Sequence, residues 1–139
     1  MSRTVGLSHF AIKVTDLERS IAFYAKYGEL EMVKRYEPDT IWLSDRLRPF
    51  HLVLLLVDNV DTPLAPPSHI GLICSSMERV DELAAMARSD GFLVSEPQDN
   101  GDSGGYWADL KDPDGNTVEI SHHQMAFYEP QWTPYSEIH

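Results

Sequence analysis

The chain contains a single cysteine, Cys74, so neither an internal disulfide nor a multi-cysteine zinc site can be built from it. Its longest unbroken aliphatic run is the six residues from Leu52 to Val57, far short of the ~20 needed to span a bilayer. The opening residues, Met1 to Leu7, lack the apolar stretch and small-residue cleavage site of a secretory signal. Basic residues are scarce, 11 against 22 acidic ones, and the formal charge of −11 repels phosphate backbones and anionic lipid. Nucleic acid and membrane are thereby excluded as expected partners, and a soluble, cytoplasmic protein is expected. The apolar fraction is not lacking: 42% of the 139 residues are hydrophobic, enough for one packed domain and too many for intrinsic disorder.

The chain also repeats itself. Ser8-His9-Phe10-Ala11-Ile12-Lys13-Val14-Thr15-Asp16-Leu17-Glu18-Arg19 aligns without a gap on Ser68-His69-Ile70-Gly71-Leu72-Ile73-Cys74-Ser75-Ser76-Met77-Glu78-Arg79, at a constant offset of 60. Two copies are too few for a solenoid, which needs about three, so a duplicated supersecondary unit is expected. Each copy starts as a strand. Phe10, Ile12 and Val14 oppose His9, Ala11 and Lys13, and Ile70, Leu72 and Cys74 oppose His69, Gly71 and Ile73. Cys74 thus falls on the apolar side, as a small core hydrophobe.

A helix is predicted next in each copy. Thr15-x-x-Glu18 and Ser75-x-x-Glu78 fit the capping box. Leu17, Ile21 and Tyr24, and then Met77, Val80, Leu83, Ala84 and Ala87, form apolar stripes at helical spacing. Gly28 and Gly91 are the expected stops. Strands are predicted over 31–36, 40–44 and 51–57, then 92–96, 106–110 and 117–122. The pattern is βαβββ twice, an α+β protein, with a first module over 4–58 and a second over 68–123. The linker, 59–67, holds three of the nine prolines, and the segment 124–139 forms an aromatic tail expected to dock on the protein or on a second subunit.

His9 and His69 occupy equivalent positions on the faces turned away from the helices, so pairing of the two modules about a pseudo-twofold axis would bring the imidazoles together. The turn Asp112-Pro113-Asp114-Gly115-Asn116 sets the register of the last strand, where Glu119 shares a face with Thr117 and Ser121 and opposes Val118 and Ile120. A carboxylate on such a face needs a partner. Two imidazoles and one carboxylate make the set that binds Fe(II), Mn(II) or catalytic Zn(II) while leaving positions open. His9, His69 and Glu119 are therefore the candidate metal ligands.

These segments, with Asp16-Leu17-Glu18-Arg19-Ser20-Ile21-Ala22-Phe23-Tyr24 and Asp112-Pro113-Asp114-Gly115-Asn116-Thr117-Val118-Glu119, resemble the vicinal oxygen chelate superfamily, which includes glyoxalase I, bleomycin-resistance proteins, fosfomycin-resistance enzymes and type I extradiol dioxygenases. The resemblance covers about residues 4–122. It implies two βαβββ modules paired into a cupped, partly open mixed β-sheet with helices on the outer face, and a metal held by His9, His69 and Glu119. Glyoxalase-type members commonly place a fourth ligand on the fourth strand, where this chain aligns Val53. Three protein ligands remain, as in the extradiol dioxygenases. Those enzymes carry a proton-moving histidine on this strand, which His51 resembles. An exposed position near Arg46 and Arg48, or a fourth-ligand role after a two-residue shift, are the other readings of His51. The extradiol tyrosine about ten residues before the glutamate is replaced by Asp109.

Lys13, on His9's face, is a candidate for an anionic substrate group, and Trp107 and Asp109 are candidate substrate-binding residues of the seventh strand, with Tyr106 packed behind. His122 faces away from Glu119, and neither His123 nor His139 is assigned a role. The first expectation is an enzyme resembling extradiol dioxygenases, using Fe(II) or Mn(II), a small-molecule substrate and O2. The second is a glyoxalase-type isomerase, epimerase or lyase using Zn(II), Ni(II) or Co(II). The third is a metal-free small-molecule binding protein of bleomycin-resistance type. A homodimer is expected, since the superfamily's members commonly pair.

Overall fold

The computed structural model describes residues 2–122; the readings placed on His123, His139 and the tail over 124–139 lie outside the described residues. The chain divides into two compact units, with the boundary between Asn59 and Val60. The first contains β1 (His9–Val14), α1 (Leu17–Gly28), β2 (Glu31–Tyr36), β3 (Thr40–Ser44) and β4 (His51–Leu56). Its sheet has the order β1-β4-β3-β2, with β1 parallel to β4 and the other neighbours antiparallel. The second contains β5 (Ile70–Ile73), α2 (Met77–Asp90), β6 (Leu93–Asp99), α3 (Gly101–Gly104), β7 (Tyr106–Lys111) and β8 (Thr117–His122). Its order, β5-β8-β7-β6, and its mixture of parallel and antiparallel pairs repeat those of the first. No helix among the described residues is long and apolar enough to cross a membrane.

Each sheet buries one face because its apolar residues alternate with a period of two. In the first unit Ile12, Val14, Ile41, Leu43, Leu52 and Leu54 are buried together with Leu17, Phe23, Tyr24 and Tyr27 of α1. In the second, Ala108, Leu110, Val118 and Ile120 are buried with Val80, Leu83, Ala84 and Ala87 of α2. Each large side chain so buried contributes about 1.5–3 kcal/mol. Cys74 is buried as expected. The opposite face of each sheet carries His9, Ala11 and Lys13 in one unit and Gly71, Glu119 and Asp109 in the other.

The helix ends depart from the sequence reading by one residue. Asp16, not Thr15, caps α1 by accepting a hydrogen bond from the Arg19 N–H at 3.0 Å, and Ser76, not Ser75, caps α2 through the Arg79 N–H at 3.1 Å. Two adjacent residues could serve at each start, and the one in front of the first buried turn does so. Glu18 and Glu78 then lie in the first turn, where a carboxylate complements the helix dipole. Gly28 ends α1 without taking the left-handed conformation, which falls to Glu29 at φ 52°, whereas Gly91 takes it after α2 at φ 83°. The α1 stripe is also rotated: Ser20, Phe23 and Tyr27 are buried while Ile21 is half-exposed, and Met77 of α2 is exposed. The short α3 has no counterpart in the first unit.

Candidate functional site

In the first unit His9 and His51 stand opposite each other on neighbouring parallel strands, so both imidazoles rise from the face that α1 does not cover. Val53 follows two residues after His51 and is flanked in register by Ala11 on one side and Trp42 on the other. The indole of Trp42 reaches both imidazoles, with ring centroids 5.2 Å from His9 and 5.1 Å from His51. Val53, bracketed by these rings, is buried although it lies on the uncovered face. Tyr36 of β2 meets Trp42 edge-on at 6.4 Å, and the Lys34 ammonium lies 5.2 Å from the Tyr36 ring centre. The Ser8 hydroxyl is 2.7 Å from His9 Nδ1. Lys13 is exposed further along β1, on the same face.

In the second unit the position of Glu119 is set by the turn before it. Asp112, 2% exposed, accepts from the backbone N–H groups of Asp114 and Asn116, both at 2.9 Å, and from the Asn116 side-chain amide at 3.0 Å. Gly115 sits inside this turn at φ 90°, a conformation that costs glycine little. The Asn116 side chain accepts from the Leu64 N–H at 2.9 Å, and the Thr117 N–H donates to the Leu64 carbonyl at 2.7 Å. The Pro-rich segment is thus tied to the start of β8, and every later side chain of that strand is committed to a face. Glu119 falls on the face away from α2, between Gly71 of β5 and Asp109 of β7.

His69, just ahead of β5, turns its Nε2 toward Glu119 Oε2 at 3.5 Å. Its other nitrogen, Nδ1, lies 2.8 Å from the Pro67 carbonyl oxygen. A carbonyl only accepts, so a hydrogen resides on Nδ1, and Nε2 is left to face the carboxylate. A proton or a metal ion shared between the two atoms satisfies both. Metal–ligand bonds of about 2.0–2.2 Å at octahedral to tetrahedral angles place two ligand atoms about 3.0–3.5 Å apart. The observed separation matches that bite, and the pinned Nδ1–H is the support that metal-binding histidines ordinarily have. The residues present therefore fit a divalent ion.

Asp109 lies directly across from Glu119. Its Oδ1 is buried without a hydrogen-bond partner, although the residue as a whole keeps contact with solvent. Burial raises its carboxyl pKa above the usual carboxylate value, the charge of Glu119 raises it further, and His69 pulls it partly back. Trp107 shares this face, opposite Ser121, and is half-buried. Tyr106 points the other way and donates to Asp81 of α2, which pushes its phenol up to about 12. His122 Nδ1 donates to the Cys74 carbonyl at 2.8 Å, away from Glu119.

Among the sequence-derived candidates, then, His69, Glu119 and Asp109 come together in the second unit, and His9 and His51 in the first. No group of three or more His, Cys, Asp or Glu side chains stands at metal-binding range among the described residues, so His9, His69 and Glu119 are not gathered into one. The strand registers make His9 and His69, Ala11 and Gly71, Val53 and Glu119, and Trp42 and Asp109 counterparts. The counterpart of the acid is thus Val53 and not His51, which removes the two-residue shift. His51 is half-buried against Trp42, not an isolated surface residue. Trp42 and Tyr36 escaped the sequence reading, which followed ligating residue types. The parity of β3 and β2 relative to Val53 would have found them.

The family model for the glyoxalase/bleomycin resistance protein/dioxygenase superfamily matches residues 6–120. An uncharacterized protein of Pseudomonas aeruginosa is 32% identical over 124 residues, covering 85% of this chain and 89% of its own length. A possible glyoxalase from Bacillus cereus superimposes with a TM-score of 0.70 at 24% identity, over 85% of this chain and 99% of the other. An antibiotic-binding protein, TnmS3 from a Streptomyces species, does so with a TM-score of 0.65 at 22% identity, over 88% and 98%. At these identities the two structures share the fold, and their different descriptions leave the reaction to be argued from the residues.

Proposed function

This chain belongs to the glyoxalase/bleomycin resistance protein/dioxygenase superfamily, and we propose that within it the protein is a metal-dependent enzyme that grips two adjacent oxygens of a small substrate. The ligands in this reading are His9, His69 and Glu119. One observation carries it: His69 Nε2 and the Glu119 carboxylate face each other at a ligand-to-ligand separation, with the imidazole held by Pro67. Val53 at the counterpart of Glu119 leaves three protein ligands instead of four. That count favours a site with open positions, as ring-cleaving dioxygenases have, and Fe(II) or Mn(II) as its ion. When bound, such an ion would hold the substrate oxygens and admit O2, whereas Zn(II), Ni(II) or Co(II) would polarise a carbonyl.

The remaining roles follow from position. His51, beside His9, is suited to move a proton to or from a substrate hydroxyl near neutral pH. Lys13, on the same face, offers a positive charge to an anionic substituent or a developing enolate. Asp109 and Trp107 line the face that carries Glu119. A second reading, an isomerase or lyase of glyoxalase type, is favoured by Asp109 itself. The carboxyl stands where ring-cleaving relatives place a phenol, and a carboxyl can take a proton from carbon.

Metal analysis after purification without chelators, followed by oxygen uptake with a panel of catechols and turnover of methylglyoxal hemithioacetal, tests both readings. The expected result is about one bound ion per chain, lost in His69→Ala, with oxygen uptake by the ferrous protein. Hemithioacetal turnover without oxygen uptake would replace the first reading by the second. A protein that retains no metal under any supply would overturn both and leave a binding protein.

A further inference from the structure

We propose that the uncovered face of the first sheet is a stacking site for a planar aromatic anion, with the Trp42 indole as its anchor and the Tyr36 phenol as its rim. Every strand of that sheet contributes one ring to this face: His9 from β1, His51 from β4, Trp42 from β3 and Tyr36 from β2. The Trp42 ring centre lies 5.2 Å from that of His9, 5.1 Å from that of His51 and 6.4 Å from that of Tyr36, so the rings cluster around the indole. The core does not need them, because α1 packs on the opposite face, where Ile41 and Leu43 flank Trp42 in sequence and are fully buried. Trp42 remains half-buried and Tyr36 is 53% exposed. Rings left open in this way offer π-faces and edges to a flat ligand, whose offset or edge-to-face contacts add to simple area burial.

The charge on this face narrows the ligand further. The chain carries twice as many acidic as basic residues, yet the cross-strand partner of Trp42 is Lys34, whose ammonium sits beside the Tyr36 ring, and Lys13 projects from β1 on the same side. A carboxylate or phenolate on the aromatic ring would meet positive charge there. The second sheet makes the contrast: the counterpart of Trp42 is Asp109, which repels an anion. As a statement about the enzyme's substrate, the inference rests on His9 being a ligand; the stacking itself does not depend on metal.

The test uses chelator-treated, full-length protein and two probes of like charge, naphthalene-2-carboxylate and cyclohexanecarboxylate, in equilibrium dialysis. Naphthalene-2-carboxylate is expected to bind about tenfold more tightly, and Trp42→Ala to abolish that preference. Trp42→Phe should keep most of it and Tyr36→Ala should weaken it about threefold, which decides the matter if Trp42→Ala does not fold. Equal binding of the two probes, or naphthoate binding unchanged in both the Trp42 and Tyr36 variants, overturns the proposal. Metal content measured on the same preparations reports separately on the metal reading. Loss of that reading with naphthoate binding intact leaves the stacking site standing.

Discussion

Replacing Glu119 by glutamine is expected to move stability in opposite directions with and without metal. Without metal, Glu119 and Asp109 stand as a cross-strand pair of carboxyl groups, one buried and the other with an unpartnered buried oxygen. Directly opposed side chains are about 5 Å apart, and at an effective dielectric constant of about 20 two like charges at that distance repel by about 3 kcal/mol. Partial exposure of Asp109, its raised pKa and the His69 imidazole facing Glu119 reduce the cost to about 1 kcal/mol. For a chain of 139 residues, 1 kcal/mol corresponds to about 3 °C in melting temperature, so metal-free Glu119→Gln should melt about 3 °C higher than the parent. With Fe(II), Mn(II) or Zn(II) at a hundred times its dissociation constant, the parent gains about 2.7 kcal/mol, or about 8 °C. The variant, having lost the anionic ligand, should gain almost nothing. Thermal melts of four samples, each protein with metal and with chelator, complete the experiment. A metal-free variant that melts below the parent refutes the repulsion argument, and an undiminished metal shift in the variant refutes the ligand assignment.

Three further outcomes are expected. Asp112→Ala leaves two backbone N–H groups and one side-chain amide without their acceptor, so it should cost about 3–5 kcal/mol in denaturant unfolding; a loss under 1 kcal/mol would show that the turn does not hold β8. Tyr106 should titrate near 12, and its ultraviolet transition should vanish in Tyr106→Phe. Because its folded pKa is raised, the stability it contributes is complete below about 10, the unfolded value, and disappears as pH rises toward 12. His51→Ala should retain metal while turnover falls at least tenfold, and loss of metal from that variant would make His51 a ligand.

Much of the architecture was legible because two independent regularities agree. Alternation with a period of two defines β3 and β8 to the residue, and the duplication aligns His9 with His69 before any strand is placed. Helix starts were blurred by chemistry: Thr15 beside Asp16, and Ser75 beside Ser76, present consecutive side chains that can each accept from the first turn. Gly28 does end α1, but the left-handed conformation that glycine was expected to supply is taken by Glu29, one residue on. A helix of four residues such as α3 has no periodicity to detect. At the site, residue type found His69, Glu119 and Asp109, while the Pro67 carbonyl that orients His69 depends on loop conformation, and Trp42 announces itself only through its neighbours on the face.

The turn at Asp112 uses none of the side chains that project from the uncovered face of β8. Alignment and chemistry are therefore encoded by separate residues. Positions 42, 53, 107, 109 and 121 form a palette that can be rewritten while the hydrogen-bonded hinge upstream and the helix-side packing stay untouched. Val53→Glu, for example, would give the first module the acid its twin already has, at the cost of burying a carboxylate that then needs a cation beside it.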